Sequence, residues 1–414
     1  MGKKIILACF DFPPNTGIGG RRWAKLAKGL ASSGVEVHVI KAEPAKGYEN
    51  SEWQDDINSE LIHIHVLNRT YPEIVSHGPK NVLDKLKYKI AIAKLKKIEA
   101  GTIYDVAIGW KDMFIAKAEE LIQQYGITNM IATGAPFNIL FYASMVKERN
   151  TNLNLLVDYR DPWITAENYG MKDLSAQRMK AEISKQESVF QQADVVMCPN
   201  EFLLKEIEDT GVQKPASTFR SLPHFYDPDD LEAYLEPTSG KPQEIKLVYG
   251  GAIYIGLEKT LNKLAKKLHE LNTSSPDQVS ELSIHFYTPH QQFASIFAGL
   301  EHIVHFKPTI GKNFFTELNT AKAAIILLAE HNKNYLTTKF YEYLPFQKPL
   351  VFMGAKGYTS HFIKEHQLGH VLTDHFNNLE TVLQSLRSVQ VPSSFSLEKF
   401  TLSYRVEELR ELLK

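Results

Sequence analysis

Four stretches carry residue types and spacings that chemistry can use. The first is Asp11-Phe12-Pro13-Pro14-Asn15-Thr16-Gly17-Ile18-Gly19-Gly20-Arg21-Arg22, which follows an apolar run. Glycine lets the backbone approach a ligand closely, and the start of a helix offers unpaired N–H groups and a positive dipole end. Gly19 and Gly20 are therefore candidates for contact with a phosphate or another polar ligand, with Arg21 beside them; the plainer reading is a surface loop whose glycines serve turns. The second stretch, Tyr249-Gly250-Gly251-Ala252-Ile253-Tyr254-Ile255-Gly256, also follows an apolar run, and Lys259 stands near the start of the helix after it. A backbone loop of this kind admits a phosphate or a sugar. The third is Tyr335-Leu336-Thr337-Thr338-Lys339-Phe340-Tyr341-Glu342-Tyr343-Leu344. Thr337 or Thr338 suits a helix N-cap, and Lys339 puts a point charge at the helix start. Glu342, about one turn on, suits a bidentate hold on ribose hydroxyls, or else simply pairs with Lys339 at the surface. The fourth is Asp158-Tyr159-Arg160-Asp161-Pro162-Trp163, at the end of an apolar strand. Pro162 holds the Asp161 backbone extended, so that its carboxylate can meet a substrate hydroxyl. Asp158 is expected to cap the sheet end or to pair with Arg160.

Several chemistries do not fit. A dinucleotide fingerprint places G-x-G-x-x-G directly after its strand. Here six residues intervene, two of them proline, and the third glycine is Gly20. Lys41, not an acid, ends the second strand. There is no nucleophile-elbow serine and no H-E-x-x-H. Asp227-Pro228-Asp229 has the Asp-x-Asp form of a metal ligand pair, but it opens a short helix and reads as an N-cap. No metal is expected. Among the histidines, His224 and His331 stand near loops that follow strands.

The elements that must position these residues alternate between strand and helix, twice. Apolar runs read as strands at 3–10, 35–40, 61–67, 103–109, 128–133, 153–158, 194–198 and 217–221. Helical spacing fills the intervals, as in Trp23, Leu26, Ala27 and Leu30 over 21–33, closed by Gly34. Turn residues from Asp227 to Pro242 break the pattern. It restarts with strands at 245–249, 282–287, 302–306, 323–328 and 349–353 and helices at 258–272, 290–299, 312–320 and 338–345. The expected fold class is α/β: two doubly wound Rossmann-like domains facing across a cleft. The first spans 1–230, a linker 231–243, the second 244–390, and a C-terminal segment 391–414 forms a helix that packs back on the first domain.

Composition agrees. The chain has 414 residues, 43% of them hydrophobic, with 47 Lys+Arg against 48 Asp+Glu and a formal net charge of -1. This excludes a disordered chain and argues against a dedicated nucleic-acid binder. The two cysteines, Cys9 and Cys198, make no disulfide framework, so a reducing compartment is expected. The apolar run Ile5 to Phe10 is shorter than a signal-peptide core and reads as a first strand. Nothing approaches a membrane span, so a cytoplasmic protein is expected.

The ordered set of motifs resembles the retaining glycosyltransferases of family four. Those enzymes open with a strand, Phe-x-Pro-Pro-x-x-Gly-x-Gly-Gly and a helix. Arg160-Asp161-Pro162-Trp163, Gln192-Ala193-Asp194-Val195-Val196, Leu222-Pro223-His224-Phe225-Tyr226-Asp227, Tyr-x-Gly-x-x-Tyr-x-Gly and Lys339-Phe340-Tyr341-Glu342-Tyr343 follow in the same order. The resemblance spans about 3–380. It implies the GT-B architecture and sugar transfer, with retention, from a nucleotide-diphosphate sugar to a glycan, lipid-linked or other hydroxyl acceptor, in polysaccharide or glycoconjugate synthesis. By position, Gly19, Gly20, Gly250, Gly251, Lys259, Thr338 and Lys339 fall at the donor, Glu342 at its ribose, and Asp161 and Arg160 at the catalytic loop. Arg21, Trp163 and His224 fall on the acceptor side. The family often carries a glutamate eight residues before Glu342; here that residue is Asn334, assigned to the donor sugar. Its amide can hydrogen-bond a hydroxyl but cannot stabilise positive charge as a carboxylate does. Two alternatives stand beside the transferase: a non-catalytic nucleotide- or glycan-binding homologue, and a GT-B nucleotide-sugar epimerase.

One more stretch bears on the acceptor. From Lys80 to Lys97 there are seven lysines and one acid, Asp84. Val82, Leu83, Leu86 and Ile90 fall at helical spacing among them. A basic amphipathic helix over 80–98 suits the surface of an anionic membrane. The alternative is a solvated helix whose apolar face packs on the sheet.

Overall fold

A computed structural model describes residues 2–15, 17–44, 53–165, 169–210, 218–236, 245–254, 256–330, 333–372, 374–388 and 395–414. The chain divides into two compact units, Met1–Pro223 with Leu402–Lys414, and His224–Thr401.

The first unit is built on a parallel sheet of β1 (Lys4–Ala8), β2 (Glu36–Ala42), β3 (Ile62–Leu67), β4 (Asn129–Gly134), β5 (Asn154–Tyr159), β6 (Val195–Cys198) and β7 (Phe219–Ser221). Their order across the sheet is β3-β2-β1-β4-β5-β6-β7. Leu7 registers with Val39 on one side and Ile131 on the other. β4 and β5 are buried along their whole length, as continuous apolar strands covered on both faces should be. The helix Ile18–Ser32 buries Trp23, Leu26, Ala27 and Leu30 completely. Gly29 on the same helix leaves room for the C-terminal helix Leu402–Glu411; a Cβ there would lie 2.4 Å from the Val406 side chain. The side chains of Asn129 and Asn154 donate to the carbonyls of Lys414 and Leu412, which ties the C-terminus to this unit.

The second unit repeats the plan with β8 (Ile245–Gly250), β9 (Leu282–Tyr287), β10 (Val304–Lys307), β11 (Ala323–Leu328), β12 (Leu350–Gly354) and β13 (Gly369–Val371). The order is β10-β9-β8-β11-β12-β13. Strand alternation sorts its core onto two faces. Leu247, Ile325 and Val351 pack with Leu264, Leu268 and Leu383 on one face. Val248, Ile326 and Phe352 pack with Phe315, Phe340 and Ile363 on the other. Tyr226 and Leu231 join that second cluster, so residues 224–230 lie in the second unit and not in the first. Asp227 caps the helix Pro228–Leu231, accepting from the Asp229 N–H at 3.2 Å.

The segment 103–109 is not a strand. Ile103, Ala107 and Ile108 are buried, but they point to different places. Ile103 and Ile108 pack with Val75, Ala91 and Leu95, whereas Ala107 enters the main core. The buried Asp105 carboxylate accepts from the backbone N–H groups of Ala107 and Asn138, at 2.9 and 3.0 Å. That ties the segment to the start of the helix Asn138–Arg149 and leaves it out of the sheet. Residues 291–297 form a 3-10 helix where an α-helix over 290–299 is expected.

Candidate functional site

In doubly wound sheets the carboxyl ends of the strands flanking the order reversal form the ligand crevice. In the second unit those strands are β8 and β11. β8 runs straight into the glycine pair. The Gly250 N–H donates to the Tyr343 hydroxyl at 3.2 Å, and a Cβ on Gly250 would sit 2.8 Å from the Phe314 ring. Gly251 has φ +122°, and a Cβ there would lie 2.4 Å from Lys339 Cε. Glycine is thus needed twice over, for the backbone and for the path of the lysine. The loop is pinned further on. The Tyr249 hydroxyl donates to the Ala252 carbonyl at 2.6 Å, and the Ile253 N–H donates to His290 Nδ1 at 3.0 Å.

Lys339 is the second residue of the short helix Thr338–Tyr343, whose N-cap position is Thr337. Its ammonium lies 5.1 Å from the centre of the Tyr249 ring. Burial pulls its pKa below the ordinary lysine value, and the Glu342 carboxylate works in the opposite sense. No carboxylate among the described residues lies within 4.0 Å of it. With Tyr249, Tyr254, Leu257, Thr337 and the end of β11 from Ile326 to Ala329, Lys339 lines an open pocket of about 50 Å³. The pocket presents an under-neutralised cation and an aromatic wall, and Gly251 stands against the Lys339 side chain, a combination suited to an anionic ligand.

Of the other expected donor residues, Glu342 and Thr338 are half-buried on the same helix. Asn334 is half-buried in the turn that leads to it. Lys259 is exposed at the start of the helix Glu258–Ser274. His224 is half-buried in this unit, its ring 6.1 Å from that of Tyr341 and edge-on to it. His331 lies outside the described residues, as do Thr16 and Ile255 of the two glycine loops.

In the first unit the order reverses between β1 and β4. Here the first glycine loop meets Arg160. A Cβ on Gly19 would fall 0.9 Å from the Arg160 guanidinium, which therefore occupies the space above Gly19. Arg160 donates to the carbonyls of Gly134, at 3.0 Å, and Ala135. Gly20 sits against the Asp11 carbonyl, 2.4 Å from where its Cβ would be. Arg21 lies over the ring of Trp53 at 5.8 Å. Lys41, at the end of β2, is buried and donates to the Pro13 carbonyl at 2.6 Å; burial lowers its pKa to about 8. It tethers the glycine loop from beneath.

Two expectations about the Asp158–Trp163 stretch change. Asp158 does not pair with Arg160. It is fully buried and accepts from Trp23 Nε1 at 2.7 Å and the Thr133 hydroxyl at 3.0 Å, with Arg22 Nε 3.8 Å away. Trp163 is a core residue, 1% exposed, and not a surface for an acceptor. It stacks on Phe137 and donates to Glu182 at 2.7 Å. Asp161, by contrast, is half-buried and accepts from the Tyr169 hydroxyl at 3.2 Å. Neither cysteine suits nucleophilic chemistry: both thiols are buried, and burial pushes Cys9 up to about 12.

Sequence reasoning did not single out Tyr343 or His290, which hold the second glycine loop, or Glu182 and Lys185 beneath Trp163. Tyr343 falls inside a quoted motif, and its spacing from Lys339 is a usable signal. The others are brought in from remote elements and leave no local pattern.

No protein-family model matches the chain, and no curated protein does. Solved structures do match it along nearly their whole length. A glycosyltransferase from Rickettsia africae ESF-5 is 11% identical, with 100% of this chain and 94% of that one covered and a TM-score of 0.57. A UDP-forming α,α-trehalose-phosphate synthase from Burkholderia xenovorans is 11% identical, with 100% and 95% covered and a TM-score of 0.57. An enzyme described as a UDP-N-acetylglucosamine 2-epimerase from Listeria monocytogenes is 10% identical, with 99% and 95% covered and a TM-score of 0.54. At these identities the likeness speaks for the fold: two parallel sheets flanked by helices, the α/β class of the GT-B enzymes.

Proposed function

We propose that the chain is a glycosyltransferase that draws its sugar from a nucleotide-diphosphate sugar, with the diphosphate held at Gly250, Gly251 and Lys339. The observation that carries this is Lys339, a half-buried ammonium with no carboxylate in ion-pair range among the described residues, aimed at the glycine loop of the second sheet's reversal. A leaving diphosphate needs such a preorganised cation and backbone donors. Glu342 is assigned to the ribose hydroxyls and Asn334 to a hydroxyl of the transferred sugar. Arg160 and Asp161, anchored by the Gly134 and Ala135 carbonyls and by Tyr169, are assigned to the reacting sugar and its acceptor. The order of motifs supports transfer with retention, the leaving phosphate taking the acceptor proton, and no metal is assigned to that step. The structural likeness to a UDP-forming synthase supports uridine as the base to try first.

Calorimetric titration with UDP, GDP and their sugars tests this. Stoichiometric binding of one of them is expected, and binding of none overturns the reading. Release of nucleotide only when an acceptor is present marks a transferase. Epimerisation of the sugar without acceptor marks an epimerase, and binding without turnover marks a non-catalytic homologue. Glu342→Ala should weaken nucleotide binding by about 1–3 kcal/mol; unchanged affinity removes Glu342 from the ribose.

The helix Val82–Ile98 is assigned to contact with an anionic lipid surface, which would bring the protein to a lipid-linked acceptor. The helix Val82–Ile98 buries Ala91 and Leu95 but leaves Val82 81%, Leu83 72%, Leu86 58% and Ile90 50% exposed, among its lysines. These side chains do not pack on the sheet, and among the described residues no helix is long and apolar enough to cross a membrane. Apolar side chains flanked by lysines suit a lipid interface. The protein should pellet with anionic liposomes at low salt, and less after Lys85, Lys87, Lys94 and Lys96 become Glu. Wild-type protein that stays in the supernatant sinks the assignment.

A further inference from the structure

The structure assigns a second site, unconnected to sugar transfer: a transition-metal site formed by Glu36, His38 and His63 on the outer strands of the first sheet. β2 and β3 run parallel, with His38 opposite His63. Side chains two residues apart share a face of a strand, so Glu36 lies beside His38 on β2, and His65 beside His63 on β3. One ligand atom from each of Glu36, His38 and His63 falls within 4.8 Å of the others. Glu36 Oε1 is 3.0 Å from His38 Nε2 and 3.5 Å from His63 Nε2. Tetrahedral coordination at bonds of about 2.0–2.1 Å separates ligand atoms by about 3.3 Å. Those two distances bracket that value. The remaining pair, His63 and His38, has its ligand atoms within 4.8 Å, and the His63 side chain is 42% exposed, so a change of its side-chain angles toward His38 meets little packing.

The surroundings orient the ligands as a metal site requires. Lys4, opposite Glu36 on β1, holds the other carboxylate oxygen, Oε2, at 3.0 Å and leaves Oε1 toward the imidazoles. His38 is almost fully buried, its ring packed 4.3 Å from that of Tyr125. Its Nδ1 lies 3.1 Å from His65 Nε2. Two imidazoles at that distance share one proton. Without metal, His38 Nε2–H donates to Glu36. With metal on Nε2, the His38 Nε2 proton leaves to solvent, the proton shared with His65 passes from His65 Nε2 to His38 Nδ1, and His65 takes a proton from solvent at its own Nδ1. His38 then donates to His65, the outer hydrogen bond that fixes a ligating histidine. Two imidazoles and one carboxylate select zinc, cobalt, nickel or copper, and not magnesium or calcium, which prefer oxygen ligands. A bound ion would clamp β2 to β3, with a coordination position left toward solvent.

Tag-free protein titrated with CoCl2, followed by visible absorption, and with ZnCl2, followed by calorimetry, tests the site. One equivalent should bind, the cobalt bands should appear, and zinc should raise the melting temperature. His63→Ala and Glu36→Gln should each weaken binding at least tenfold and abolish the melting shift. His65→Ala should weaken it about tenfold through the lost outer hydrogen bond. His302→Ala, on the exposed surface of the second unit, should leave it unchanged. His63 is on the exposed side of the cluster, so its loss spares the fold, which a thermal melt without metal verifies. Failure of the wild type to bind one equivalent overturns the assignment. So does binding by His63→Ala and Glu36→Gln as tight as by the wild type.

Discussion

Lys339→Met should weaken binding of UDP, or of whichever nucleotide the titration identifies, by about 1.5–3 kcal/mol, roughly ten- to hundredfold. The lost contact is a charge-assisted hydrogen bond in a partly desolvated pocket. The same substitution should not lower the melting temperature. Burial depresses the Lys339 pKa, so the folded chain disfavours the charged form. For a lysine with a depressed folded pKa, charge opposes folding below that pKa, and the penalty fades as the pH rises through and beyond it. Met removes the penalty and keeps the length of the side chain against Tyr249 and Gly251. A second signature follows from the same shift. A bound diphosphate stabilises the ammonium and raises its pKa, so nucleotide affinity should fall on the alkaline side, below the range of an ordinary lysine. Binding near that pKa should take up protons. Calorimetry in buffers of different ionisation enthalpy measures the uptake, and Lys339→Met should flatten both effects. Unchanged nucleotide affinity in the variant would remove the diphosphate from this loop.

How far the residues announce this arrangement depends on where their partners lie. The central strands of both sheets are legible because parallel strands covered on both faces are continuous apolar runs. Leu247-Val248 and Ile325-Ile326 feed opposite faces and are apolar at every position. The run at 103–109 has the same appearance and a different fate. Asp105 sits in its middle, and a buried carboxylate takes backbone N–H groups that a strand would give to its neighbours. β13 and the helices Tyr358–Glu365 and Leu379–Leu386 escape notice because they are short. Gly250, Gly251 and Lys339 are legible as separate candidates on the sequence. That the lysine passes through the space a Gly251 side chain would fill is a contact between residues 88 positions apart, and only the fold supplies it. Asp158 misleads for the same reason. Its nearest cation in sequence is Arg160, but Trp23 and Thr133 reach it from the helix and strand packed alongside. Arg160 turns instead to carbonyls at the end of β4 and covers Gly19.

Lys185→Met should destabilise the first unit by about 3–5 kcal/mol at neutral pH, the cost of leaving buried charge unpaired. Lys185 Nζ stands 2.7 Å from Glu99 and 3.1 Å from Glu182, and it also donates to the Asn138 amide oxygen at 2.9 Å. The side chains are 11%, 10% and 2% exposed, so water can replace little of this. The Lys185 pKa is raised: burial pulls it down, but the Glu182 and Glu99 carboxylates outweigh that. A lysine with a raised folded pKa contributes its full stability below the unfolded value of 10.5 and loses it as the pH climbs through the raised one. Urea unfolding of wild type and variant should therefore differ most below about pH 10 and converge in the alkaline range. Glu99→Gln added to Lys185→Met should recover part of the loss, because one of the two facing carboxylates becomes neutral while its oxygen still accepts the Gly101 N–H. The consequence reaches the candidate catalytic loop. Glu182 holds Trp163 through the indole N–H, and Trp163 ends the run that carries Arg160 and Asp161. A variant that keeps its fold at low temperature should still lose order at 160–163, seen as faster amide exchange there than in β5. Equal stability of variant and wild type across the pH range would show that the Glu99–Lys185–Glu182 cluster is no more than a solvated ion pair, and would release Trp163 from the role of anchor.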